Sequence, residues 1–337
     1  MNALFVHAGQ LIATVPPPPT TEGGAGLERF IAVMFRGLSQ GSIYALIALG
    51  FVLVFKATQT VNFAQGAIAL VGTYFLSVVL INWEIPGKWL GGNQYVVWFS
   101  GLAVALALSV LLGLIIERLI IRPMIGEPLF SIAVITLGLE AVLRTLGTDA
   151  IGVNNRSLAI PWGRDGFRLG GAVIYWSWIF TILATVVAFV AIYLFFRTRT
   201  GIAMRAVALD QEASLAQGIS VGRVFALAWG AGAALAVLGA VAASMSPIGP
   251  GTATAATAAL AFRALPAVIL GGLDSVVGAL VGGVVIGMSE VAAGAYLAEH
   301  TNTLGVGYQL IVPYLIMIIV LVVRPYGLFG TPEVRRV

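Results

Sequence analysis

The sequence predicts an all-α polytopic membrane protein of about eight to ten transmembrane or re-entrant helices. Three observations predict it. First, 59% of the 337 residues are hydrophobic and only 9% are charged, whereas a soluble domain carries about a quarter charged residues. A chain of this composition cannot cover itself with polar surface, so lipid has to be its solvent. Second, apolar runs near the spanning length of about 20 residues recur along nearly the whole chain. Third, the arginines cluster beside those runs, as membrane topology requires. The net charge of +4 therefore does not argue for nucleic acid. There are no cysteines, which excludes disulfide scaffolds, thiolate metal sites and Cys nucleophiles. With only His7 and His300, no multi-histidine metal site is expected.

Residues 1–28 read as a flexible tail. Residues 4–15 are apolar but too short to span, and they lack the basic region of a signal peptide. Pro16 to Pro19 predict a polyproline II spacer. Residues 29–330 read as one transmembrane domain and residues 331–337 as a C-terminal cytoplasmic tail.

The first span is predicted over residues 30–55. Arg36 lies near its outer end, and Gly37, Ser39, Gly41 and Ser42 form a small-residue face for close helix packing. Residues 56–66 follow, with Thr58, Gln59, Thr60, Asn62 and Gln65 before apolar sequence resumes. Two readings stand. One is a tight turn with helix caps; the other is a helix broken inside the membrane with its polar backbone facing a cavity. Further spans are predicted over residues 67–81, 96–116 and 129–146. Trp83, Trp89, Tyr95 and Trp98 read as an interfacial aromatic set. Glu117, Arg118 and Arg122 read as cytoplasmic. Glu140 and Arg144 can pair on one helix face at their i,i+4 spacing. The polar loop over residues 147–173, with Asn154, Arg156, Arg164, Asp165 and Arg168, is expected outside.

Apolar runs over residues 174–196 and 224–245 flank a polar, basic, Ala-rich segment, residues 197–223. Met204, Val207, Ala208, Leu215 and Ile219 recur in it at helical spacings, and Gly218 is placed to end a short helix. A lobe this long exceeds what a turn between spans needs. It reads either as a docking surface for a soluble partner or as a solvated loop with some helix. A breaker cluster, Ser246-Pro-Ile-Gly-Pro-Gly251, precedes apolar residues 252–270, which contain Arg263 and Pro266. This points to a second broken or re-entrant element. Spans over residues 276–293 and 309–323 complete the set. Gln65-Gly66-Ala67 with Gly72 and Val277-Gly278-Ala279 with Gly282-Gly283 are faintly alike, as an internal pseudo-repeat of a transport fold would be.

Enzyme chemistry is not legible. The only lysines, Lys56 and Lys88, lie in no Walker A run, and neither G-x-S-x-G nor H-E-x-x-H occurs. Asp274 stands alone, and Glu140 and Glu290 lie in separate spans, so no paired acid site of a membrane protease is present.

Several blocks resemble the LivH-type permeases of ABC importers for branched-chain amino acids. They are Gly37-Leu-Ser-Gln-Gly-Ser-Ile-Tyr-Ala-Leu-Ile-Ala-Leu-Gly50 and Val61-Asn-Phe-Ala-Gln-Gly66. They continue with Arg199-Thr-Gly201, Arg205-Ala206, Ala213-Ser-Leu and Gly218-Ile219, then Ala267-Val-Ile-Leu-Gly-Gly-Leu-Asp-Ser275, and finally residues 324–334. The resemblance covers about residues 30–337 and leaves the tail outside. Gln65 stands where the amino-acid permeases are expected to carry His, and Asp274 where a small or uncharged residue is usual; related permeases carry urea and amides. The resemblance implies an ABC importer transmembrane-domain fold in the bacterial inner membrane. It implies as partners two cytoplasmic ATPase subunits, which hold ATP-Mg, and an extracytoplasmic solute-binding protein. It also implies a second permease, LivM-type or a further copy of this chain. No cofactor is expected in the chain itself. Gly201, Arg205, Glu212, Ala213 and Gly218 are then the ATPase-coupling residues. Asn62, Gln65, Gly66, Gly271 and Asp274 are candidates for the substrate pathway, with helix packing as the alternative for the first four.

Overall fold

The structure is a computed structural model that describes residues 25–151, 155–298 and 307–331. Most of the expected tail, His300, Asn154 and residues 332–337 lie outside the described residues. Among those described, seven helices are long and apolar enough to cross a membrane, and two shorter apolar helices accompany them. Tail residues 25–28 already belong to the first helix, α1 (Ala25–Thr58). There follow α2 (Gln65–Ser77), α3 (Gln94–Ile116), α4 (Leu129–Ile151) and α5 (Trp176–Phe195). Two short helices, α6 (Arg199–Leu209) and α7 (Gln211–Ala216), lead into α8 (Val221–Ser244). The chain ends with α9 (Leu260–Gly271), α10 (Val276–Tyr296) and α11 (Tyr308–Val323).

α1 is the central post. It packs against α10, α8, α5 and α9, and residues from Ile43 to Val54 are buried on nearly every face. A helix that is apolar all round is an interior helix. α4 and α5 are the opposite case: Leu137, Val142, Leu183 and Val187 are exposed, the outward stripe that acyl chains cover. Between apolar helices in lipid there is little hydrophobic gain from association, so close backbone contact has to supply it. The small-residue face of α1 does this. A Cβ on Gly287 would lie 2.1 Å from the Gly41 nitrogen, and one on Gly283 would lie 2.6 Å from the Ala45 nitrogen. The two backbones therefore touch where the sequence placed its small residues.

The interruption after α1 turns back into the bundle rather than out of it, but its polar groups meet protein and not the cavity that the second reading expected. Gln59 adopts φ +55°, and the chain turns back along α1. The Gln65 Nε2 amide donates to the Gly232 carbonyl of α8 at 3.1 Å. Gln65 also lies against Gly50, which is eight residues short of Thr58, about 12 Å along the helix. The breaker cluster after α8 makes the second dip. Strand β4 (Thr252–Ala253) pairs at the far end of the bundle with β1 (Arg156–Ser157). A 3-10 turn, Ala255–Ala259, then descends to Gly66. α2 and α9 thus begin beside each other and run to opposite ends. Of the two faintly similar glycine segments, Gln65 to Ala67 opens α2 inside the bundle, and Val277 to Ala279 opens α10 at its end.

At the far end a hairpin, β2 (Gly166–Leu169) with β3 (Ala172–Tyr175), turns through Gly170 and Gly171, both at positive φ. Trp83, Trp89 and Tyr95 are exposed there as an interfacial set should be. Trp98 departs from the expectation, being only 1% exposed. Its indole nitrogen donates to the Leu158 carbonyl at 3.0 Å and its ring packs edge-on to Trp162 and Phe180. It anchors the β1 segment rather than the lipid interface.

At the near end Glu117, 1% exposed, accepts two hydrogen bonds from Arg122 at 2.9 and 3.0 Å. Arg122 also donates to the Gly222 carbonyl at 3.0 Å, tying the end of α3 to the start of α8. Removing one partner of a buried pair leaves an uncompensated charge, at a cost of about 3–5 kcal/mol. Arg122→Ala is therefore expected to lower the thermal midpoint of the purified protein well below that of Arg118→Ala, whose side chain is in no ion pair among the described residues. Equal midpoints in a detergent melt would refute the assignment. The expected Glu140–Arg144 pair forms, at 3.1 Å.

Candidate functional site

The segment over residues 197–223 is two helices, not one. Asp210 breaks it with an extended backbone (φ −158°, ψ 109°) and caps α7 by accepting from the Ala213 amide at 2.9 Å. Thr198 caps α6 through the Gly201 amide at 3.3 Å. Capping by Thr and Asp satisfies amides that a helix start would otherwise leave free. Met204 and Val207 are buried, and α6 packs on α1 and α8. Gly201 abuts the end of α5: a Cβ there would lie 2.3 Å from the Phe195 carbonyl oxygen. Arg205 donates to the Phe196 carbonyl at 3.0 Å, close to the end of α5, so part of its role is structural. Lys56, at the end of α1, lies over the Phe196 ring and within the fields of Asp274 and Arg205.

The outer face of this arm is another matter. Glu212, Ala213 and Gly218 are exposed, Gly218 at φ +78°. Ile202 and Leu215 are exposed with them, and Leu209 is 89% exposed. The arm is fixed to the bundle by its inner side and presents leucines beyond the end of the spans. Exposed leucines rimmed by charge mark a surface that contacts a protein or a membrane.

The broken joint holds Asn62, Gln65 and Gly66 together. Asn62, 2% exposed, donates to the Gln65 carbonyl oxygen at 3.0 Å and accepts from the Ala64 amide at 3.0 Å. Gln65 is fully buried. The Phe63 amide donates to Thr136 of α4 at 3.2 Å. Both amides are therefore satisfied within the chain, and in this conformation neither faces open space. A Cβ on Gly66 would lie 2.0 Å from the Ala258 carbonyl oxygen. Gly271 is placed by close approach as well, 2.1 Å from the Gly278 carbonyl oxygen by the same measure. Asp274 lies apart from the joint, in the turn between α9 and α10. Its carboxylate accepts from the amide and hydroxyl of Thr331, and amides of Leu328 and Phe329 donate to the last carbonyls of α9. It holds the C-terminal segment against the arm end of the bundle.

A polar cluster that no spacing in the sequence connects lies on α1, α9 and α10. The Tyr44 hydroxyl donates to Glu290 at 2.5 Å, and Gln40 also reaches that hydroxyl. Arg36 and Arg263 are the cations whose fields reach Glu290. The signal in the sequence was three charges, each isolated in an apolar run; their meeting is tertiary.

A helical bundle with seven candidate spans, two internal breaks and an apolar arm projecting from one end has the build of a multi-span membrane protein. The chain belongs to the branched-chain amino acid ABC transporter permease family. Residues 33–321 match the family described as branched-chain amino acid transport system / permease component. The high-affinity branched-chain amino acid transport system permease protein LivH of Salmonella typhimurium is 30% identical over 317 residues, 91% of this chain and 98% of its own. BraD of Pseudomonas aeruginosa, described in the same words, is 29% identical over 320 residues, 92% and 99% of the two chains. A solved structure, PsaBC from Streptococcus pneumoniae in complex with Fab, aligns over 95% of each chain at 13% identity with a TM-score of 0.46. The family is a permease component and carries no catalytic activity of its own.

Proposed function

We propose that the chain moves branched-chain amino acids across the bacterial inner membrane, driven by ATP hydrolysis in two partner ATPase subunits. The observation that carries this is the arm. Its leucines project past the spans of a chain without a phosphate-binding loop, so the energy has to enter through a docked partner. On this reading residues 197–223 and the C-terminus lie in the cytoplasm and the hairpin end lies outside, where a solute-binding protein delivers the amino acid. A second permease, LivM-type or another copy, closes the passage. The breaks at residues 59–64 and 245–259 place two helix starts side by side within the bundle, an arrangement suited to rocking motion around a joint. The satisfied amides of Asn62 and Gln65 fit the hinge of that motion better than its wall.

The test is reconstitution of the chain with the products of its neighbouring genes in proteoliposomes. Leucine, isoleucine and valine are expected to accumulate only with ATP and binding protein both present. Uptake by the chain alone would make it a channel or secondary carrier, and uptake of urea or acetamide in place of leucine would reassign the solute.

A further inference from the structure

We propose that the face shared by α1, α9 and α10 lines the passage and that Arg263 and Glu290 receive the two charges of a zwitterionic amino acid. The guanidinium meets the carboxylate, and the carboxylate meets the ammonium. This rests on the transport reading above and deepens it. Tyr44 and Glu290 each lie fourteen residues from the arm end of their helices, at Thr58 and Val276, about 21 Å along. That depth is inside a hydrocarbon layer about 30 Å thick. Yet Glu290 and, about one turn further out, Gln40 are only half-buried, and Arg263, about 12 Å from the arm end of α9 at Gly271, is exposed on the chain. Charges at such a depth do not face acyl chains; they face water or protein.

Nor are these charges spent on one another. Among the described residues the ion pairs within 4.0 Å are Glu84–Lys88, Glu117–Arg122 and Glu140–Arg144. Arg36, Arg263 and Glu290 are in none of them. A carboxylate and two guanidinia on three helices thus lie within each other's fields but beyond ion-pair distance. The backbone contact of Gly41 with Gly287 fixes the distance between α1 and α10. Tyr44, wholly buried, fixes the carboxylate by its hydrogen bond. A rigid carboxylate facing separated guanidinia matches a solute that carries both charges, and it offers little to a neutral amide.

The chain's lack of cysteine allows a direct test in the reconstituted complex. Gln40→Cys, Arg263→Cys and Glu290→Cys are expected to react with a small water-soluble thiol reagent, and leucine is expected to slow the reaction. Val187→Cys, on the lipid side of α5, should stay unlabelled. Glu290→Gln and Arg263→Gln should lower leucine uptake by about tenfold or more. Gln40→Cys removes no charge and keeps the test open should the charged-site variants fail to assemble. If the three positions stay unlabelled with and without nucleotide, the face is not a passage. Labelling without leucine protection, or normal uptake in both Gln variants, overturns the zwitterion assignment. A wild-type complex without ATP-driven uptake would instead sink the transport reading itself.

Discussion

Leu209→Asp combined with Leu215→Asp is expected to abolish ATP-driven uptake while leaving the bundle folded. Both side chains are exposed on the arm, Leu209 almost completely, so neither contributes to the core, and exposed substitutions usually change stability by about 0.5 kcal/mol or less. An apolar anchor at the centre of an interface is worth about 2 kcal/mol or more when lost. Two such losses, with buried charge added, weaken binding by about a thousandfold. The ATPase should therefore fail to co-purify, and uptake should fall with it. Met204→Ala is the contrasting case. It truncates the buried inner side of α6 and should lower the thermal midpoint before it affects docking. Co-purification of the ATPase with the double Asp variant in normal yield would remove these leucines from the interface.

Gly66→Val is expected to prevent folding outright. The Cβ alone would lie 2.0 Å from a backbone oxygen, that of Ala258, and 3.1 Å from the Ala261 Cβ. No side-chain rotamer relieves a clash with backbone. The 3-10 turn and α2 would have to separate, and overpacking costs about 1–3 kcal/mol even where side chains can shift. Gly66→Ala should already lower the thermal midpoint strongly. Gly138→Ala is the control: nothing lies within 4 Å of its Cβ, it sits inside α4, and alanine is the better helix former by about 1 kcal/mol. Its midpoint should hold or rise. Equal melts for Gly66→Ala and Gly138→Ala would mean that the joint is not as close as described.

The spans were legible because length and apolarity decide them one at a time. Residues 129–146 and 276–293 needed only a count of apolar positions, and the helices extend a few residues beyond. The small face on α1 was legible for the same reason, since Gly37 and Gly41 recur at one spacing. Residues 56–66 were legible only as a choice between turn and break, because depth is not written in local sequence; the contact of Gln65 with Gly50 and Gly232 decides it. The α6–α7 split was missed because Met204, Val207, Leu215 and Ile219 keep one helical rhythm across Asp210, whose capping role overrides it. Trp98 was misplaced because interfacial and buried tryptophans look alike until a partner such as Leu158 is known. Asp274 lacked a visible partner because Thr331 is far along the chain. The Arg36, Arg263 and Glu290 cluster is wholly tertiary, and only the oddity of each charge in an apolar run hinted at it.

The most direct measurement is cysteine cross-linking between Leu209→Cys and its ATPase partner in the assembled complex, with no native thiol in this chain to confuse it. The account predicts a cross-linked product from position 209 and none from position 137 on the lipid-facing side of α4. A fully assembled, ATP-hydrolysing complex that gives no product at 209 with linkers of any reach would contradict it.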